Sequence, residues 1–100
     1  MSTLRIEVFV PDIPAIPRLR LLTDLFTMCG GCTVTAGAGW WFNEEGHMVH
    51  ERVHTMLAFT EDTDRVRLGL EGVIRAYKED ALQEQVMYVL NSTEVINIKE

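Results

Sequence analysis

Residues 4–10 (LRIEVFV) alternate in character, with Ile6, Val8 and Val10 on one side of an extended chain and Arg5, Glu7 and Phe9 on the other. Side chains alternate across a strand, so this stretch predicts a strand with one buried face, which Pro11 ends. The period then changes. Asp12-Ile13-Pro14 can cap and open a helix, and Pro17 is tolerated only within a first turn. Leu19, Leu22, Phe26 and Cys29 recur at helical spacing up to Gly30-Gly31. A second helical stripe runs through Val66, Leu70, Val73, Ile74, Tyr77 and Ala81. It follows Glu61-Asp62-Thr63-Asp64, acids and a hydroxyl suited to a helix N-terminus. Residues 86–90 are short and apolar, Asn91-Ser92-Thr93 makes a turn, and residues 95–98 return as a final edge segment.

Between the helices, residues 37–59 read as a long β-hairpin around the polar turn Asn43-Glu44-Glu45-Gly46. With those four residues as the loop, Phe42 faces His47, Trp40 faces Val49 and Ala36 faces Val53. That register puts Val34, Ala36, Ala38, Trp40, Phe42, Val49, Val53, Leu57 and Phe59 on one face, which reads as the core. Thr33, Thr35, Gly37, Gly39, Trp41, His50, Arg52, His54 and Met56 share the other, a candidate functional face. The element order β, α, β, β, α, β, with a short terminal strand, predicts two helices on one face of an antiparallel sheet. The fold class is therefore α+β, a ferredoxin-like sandwich formed by residues 1–100 as a single domain, with one sheet face left open.

The run GWWFNEEGHMVHERVHTMLAF, and EDTDRVRLGLEGVIRAYKEDALQEQVMYVLNSTEVINI after it, resembles a family of small bacterial proteins known only as a domain of unknown function. The likeness spans about residues 32–98. It rests on the Gly-x-Trp before the turn, the acidic-Gly turn, Glu51-Arg52, the helix end Ala76-Tyr77-Lys78 and the strand start Gln85-Val86. More distantly, a Trp-Trp strand, a Gly turn and a strand with an early Glu are similar to the trimeric CutA and PII-like proteins, which share this architecture. Neither resemblance supplies a catalytic residue. The long nucleotide-binding loop of PII signalling proteins has no counterpart in a hairpin closed by about four residues.

Composition narrows the partners. A 100-residue chain with 47% hydrophobic residues can bury about 60 to 65% of its surface in one core. The net charge of -6, without any stripe of Lys or Arg, argues against nucleic acid. The start MSTLRIEVFVPDIP lacks a signal-peptide pattern, and no apolar run approaches the ~18 residues of a membrane span. The expectation is a cytoplasmic protein with no membrane partner. Two cysteines make no disulfide framework, which fits a reducing compartment.

Two motifs suggest chemistry. His50-Glu51-Arg52-Val53-His54 matches H-E-x-x-H, which on a helix would bind zinc and make the chain a zinc hydrolase using His50, Glu51 and His54. The β-branched residues around it and the preceding turn favour a strand instead, in which the two histidines stand about 13 Å apart and Glu51 points to the other face. Cys29-Gly30-Gly31-Cys32 is a C-x-x-C, but at a helix C-terminus, where the dipole disfavours a thiolate, and without a second pair to complete a zinc site. Trp40 is expected in the core. Trp41, on the open face, suits an oligomer anchor or a stacking platform. Glu7 is expected to meet Arg52 or His54 across the sheet.

These readings lead to a ferredoxin-like protein that self-associates through its open sheet face and binds a small molecule at the subunit boundary. The residues for that role are Glu7, Trp41, His50, Arg52 and His54, with no catalytic residue, metal or cofactor, and with itself as dimer or trimer partner. An alternative is a small dimeric α+β barrel enzyme of the oxygenase or isomerase type, its pocket lined by His50, Arg52 and His54. The zinc hydrolase comes third.

Overall fold

β1 (Thr3–Pro11) is the alternating strand expected, with Leu4, Ile6, Val8 and Val10 wholly buried in the computed structural model, which describes residues 2–100. α1 (Ala15–Cys29) follows. Its inward stripe is Leu21 and Leu25, with Leu22, Met28 and Cys29 beside them, whereas Leu19 and Phe26 face out. α2 (Asp64–Asp80) buries Leu70, Ile74 and Tyr77 as its periodicity predicts. Thr63 caps it, its Oγ1 accepting from the Val66 amide at 3.1 Å. Asp62 does not cap but holds the Arg67 guanidinium at 2.8 and 3.1 Å. β4 (Val86–Leu90) and β5 (Glu94–Ile98) form the final hairpin, whose turn places Asn91 and Ser92 at positive φ.

The sheet order is β2-β3-β1-β4-β5, with β2 (Thr33–Phe42) and β3 (Met48–Glu61), and every neighbouring pair is antiparallel. Both helices lie on one face. This is the ferredoxin-like α+β sandwich, with β5 added at an edge.

The hairpin register differs from the expected one by one residue. Trp40 faces His50, Ala36 faces His54 and Phe42 faces Met48. The cause is local: residues 44–46 alone form the loop, with Gly46 left-handed at φ 79, and Asn43 closes it by accepting the amides of Glu45 and His47 on Oδ1 at 3.0 and 2.9 Å. A three-residue loop ending in a left-handed glycine is a standard hairpin closure. Because the side-chain period of a strand is two, this slip turns every β3 side chain over. Met56 and Ala58 are therefore buried under the helices, and His50, Arg52 and His54 share their face. Val49, Val53, Leu57 and Phe59, expected in the core, stand on the open face.

The even-numbered β2 residues do lie on the helix side, but they are not core. β1 pairs with β3 only as far as Pro11 opposite Val53, so β2 and β3 run on past it as a two-stranded arm. The molecule is correspondingly long, 44 × 25 × 23 Å. No helix covers the arm, and Trp40 is 61% exposed. The core comprises β1, β4, α1, α2, the buried end of β3 and Ile98.

Candidate functional site

The residues singled out in the sequence are divided between two faces. Glu7 and Trp41 are on the open face. His50, Arg52 and His54 are on the helix side, so the pocket required by the barrel-enzyme reading is not assembled. Glu7 lies opposite Leu57 and Val89 and pairs with its own strand neighbour Arg5, not with Arg52 or His54.

His50 and His54 are strand residues, and each is engaged separately. His50 stacks on Trp40 across the hairpin, with ring centroids 3.7 Å apart and planes 11° from parallel. His54 Nε2 lies 2.5 Å from Asp12 Oδ1. The H-E-x-x-H run therefore lacks the helical geometry that lets two histidines converge on one zinc ion. Among the described residues, no three His, Cys, Asp or Glu side chains gather as a metal-binding group.

Asp12 was expected to cap α1, yet the N-cap is Pro14 and makes no side-chain capping bond. The β1–α1 turn instead brings Asp12 to His54, whose hydrogen bond holds the carboxyl below its usual range; Arg18 and Arg52 add to this. The Arg18 Nε also donates to the Asp12 carbonyl at 2.9 Å. The other ring nitrogen of His54, Nδ1, is buried and without a protein partner. Tyr77 Oη is likewise buried and unpartnered, and burial pushes its hydroxyl up to about 12. Nothing in the local sequence signals the pairing of Asp12 with His54, because it joins positions far apart in the chain.

Cys29 and Cys32 are free thiols, partly buried at the α1–β2 turn. Burial pushes both up from the usual thiol range, opposite to the direction a reactive thiolate needs.

The open face collects Phe9, Trp41, Val49, Val53, Leu57, Phe59, Met87, Val89 and Val95, and is more apolar than the sequence register suggested. Trp41 folds back over its own strand: a Cβ on Gly39 would meet Val53 Cγ2 at 2.5 Å and Trp41 Cζ3 at 2.8 Å, so only glycine admits the indole there. Beside it, where the arm leaves the body of the sheet, lies a hollow of ≈ 680 Å³. Trp40, Trp41 and Phe42 of the arm line it together with Phe9 and Met87 of the sheet and Leu82, Gln83, Glu84 and Gln85 of the α2–β4 turn. The turn residues carry no motif, and only the tertiary fold brings them opposite the tryptophans.

A family model described as a protein of unknown function (DUF3574) matches residues 26–96. No curated protein matches the sequence. Among solved structures, a phage SAM lyase in complex with S-methyl-5′-thioadenosine is similar, with TM-score 0.75 at 15% identity over 98% of this chain and 90% of that one. The periplasmic divalent cation tolerance protein CutA from Archaeoglobus fulgidus matches with TM-score 0.68 at 11% identity, covering 99% of this chain and 86% of that one. CutA1 from Pyrococcus horikoshii gives 0.55 at 14%, covering 97% and 82%. At such identities the likeness is one of fold. Among the described residues, no helix is long and apolar enough to cross a membrane.

Proposed function

We propose that this chain, which belongs to the DUF3574 family of unknown function, is a self-associating, non-enzymatic protein of the cytoplasm. In this reading it forms a homo-oligomer through the open face of its sheet and takes a small molecule at the subunit boundary. The observation that carries the reading is the open face itself, where Phe9 adjoins Met87, Leu57 and Val89 flank Glu7 in the next row, and no helix lies over them. Soluble monomers rarely leave so many large apolar side chains on one uncovered face. Full burial of a large side chain is worth on the order of 1.5 to 3 kcal/mol before association costs; these side chains, already partly buried, would contribute a part of that each, and their sum favours a symmetric interface.

Of the charged groups on the face, Arg5 and Glu7 already pair with each other and Arg5 also donates to Ser92 Oγ at 3.0 Å, so in this reading Glu51, opposite Gly39, has to stay at the rim or meet a cation of the partner. The ligand half of the reading draws on the hollow beside Trp41, and on the fact that a phage SAM lyase of this fold holds S-methyl-5′-thioadenosine.

Light scattering coupled to gel filtration tests the proposal. A dimer or trimer is expected at micromolar concentration, and Leu57→Glu should shift it to monomer, because a carboxylate in the centre of the face would be buried unpaired. Trp41→Glu should do the same. A wild-type monomer at micromolar concentration would overturn self-association.

A further inference from the structure

The hollow between the arm and the α2–β4 turn has a chemistry more specific than that of the open face. Some of its apolar groups are largely exposed in the free chain, Phe42 by 70% and Leu82 by 89%, although both line one concavity. Leu82 also has φ 54, a left-handed backbone that costs a leucine of order 1–3 kcal/mol, with little packed on its side chain in return. Such outliers concentrate where a chain holds a group ready for a ligand.

The polar lining is equally selective. Its charged members are Glu44, Glu84 and a single cation, Lys99. No arginine and no helix N-terminus faces in, so the usual means of holding a phosphate are missing from the lining. Gln85 and Asn97 are coupled, the Asn97 amide donating to Gln85 Oε1 at 3.0 Å, which leaves a Gln85 N–H and the Asn97 carbonyl as an adjacent donor and acceptor. Aromatic walls stack on flat rings, carboxylates favour positive charge, and an amide pair matches the polar edge of a heterocycle.

Resting on the ligand reading above, we infer that this hollow binds a flat heteroaromatic molecule, neutral or positively charged, and excludes its phosphorylated forms. Trp40 and Trp41 are the only tryptophans of the chain and both line the site, so intrinsic fluorescence reports occupancy.

The test is a titration of the intact protein with nicotinamide riboside as the cation, adenosine as the neutral ring and adenosine 5′-monophosphate as the anion. The first two should quench saturably, each at least about ten-fold tighter than the monophosphate. Phe42→Ser should weaken both by about ten-fold, the scale of one lost ring contact. The double variant Glu44→Gln, Glu84→Gln should remove any advantage of the cation over adenosine. Binding of the monophosphate as tightly as adenosine, or no saturation by either of the first two up to millimolar concentration, would overturn the inference. Light scattering on the same samples separates the two proposals. An oligomer that binds none of the three refutes the hollow and leaves self-association standing; a monomer that binds as described refutes self-association and the subunit-boundary placement and leaves the hollow standing.

Discussion

The body of the sandwich and the arm of the hairpin follow the same rule of alternation with opposite results. In β1, every second side chain is apolar and every one of these is buried, because α1 and α2 lie over them. In the arm, Trp40 and Phe42 alternate as regularly and remain exposed, because the strands outrun the helices and β1. Periodicity therefore decides which face a residue takes. Burial requires a second layer, and the second layer here stops short.

The largest effect expected on this contrast comes from emptying the body. Leu70→Ala, at a fully buried position between helix and sheet, should cost about 2 to 5 kcal/mol in urea unfolding. Trp40→Ala should cost far less, since its ring is already in water; equal losses would mean that something covers the arm. Next comes the junction of the two regions. Gly39→Ala would drive a Cβ to 2.5 Å from Val53 Cγ2, a clash worth roughly 1 to 3 kcal/mol, and should displace the Trp41 ring with a change in its fluorescence. An unchanged spectrum and midpoint would show that the indole does not lie over Gly39.

A smaller effect, a dependence on pH, belongs to the turns of the body. Asp12 and Asp62 are held below their usual range, the first mainly by His54 and the second mainly by Arg67. A carboxylate with a depressed folded pKa contributes stability that is complete above its unfolded value and is lost as pH falls through the folded value. Thermal midpoints should therefore fall as pH drops below about 4. Arg67→Gln should flatten the part of that fall due to Asp62, and an unaltered pH profile would refute the assignment. Smallest of all is His50→Ala, which removes an exposed stack on Trp40 and should change stability by no more than about 1 kcal/mol.

Much of the body was legible because its signals are local. The order of elements, the buried side of β1, the stripe from Leu70 to Ala81 on α2 and the turn at Asn91-Ser92-Thr93 each depend on residues near one another in the chain. The stripe of α1 is less legible. Leu19 and Phe26 are spaced as regularly as Leu21 and Leu25, and only the position of the sheet selects between the two sets.

The arm shows where local reading stops. Whether Asn43 belongs to the loop or closes it is a difference of one residue, settled by its Oδ1 accepting two amides and by Gly46 at φ 79. An asparagine followed by two acids and a glycine is compatible with either closure, yet the choice turns over all of β3. It took His50, Arg52 and His54 from the open face and put Val49, Val53, Leu57 and Phe59 there. By itself, the sequence determined the fold class, the element order and the presence of a face left without helices. The tertiary structure alone decided which β3 residues occupy that face, that Asp12 meets His54, and that Leu82 and Phe42 line one hollow. The reason is that strand periodicity is written residue by residue, whereas register, coverage and distant pairings depend on one turn and on how far each element reaches past its neighbours.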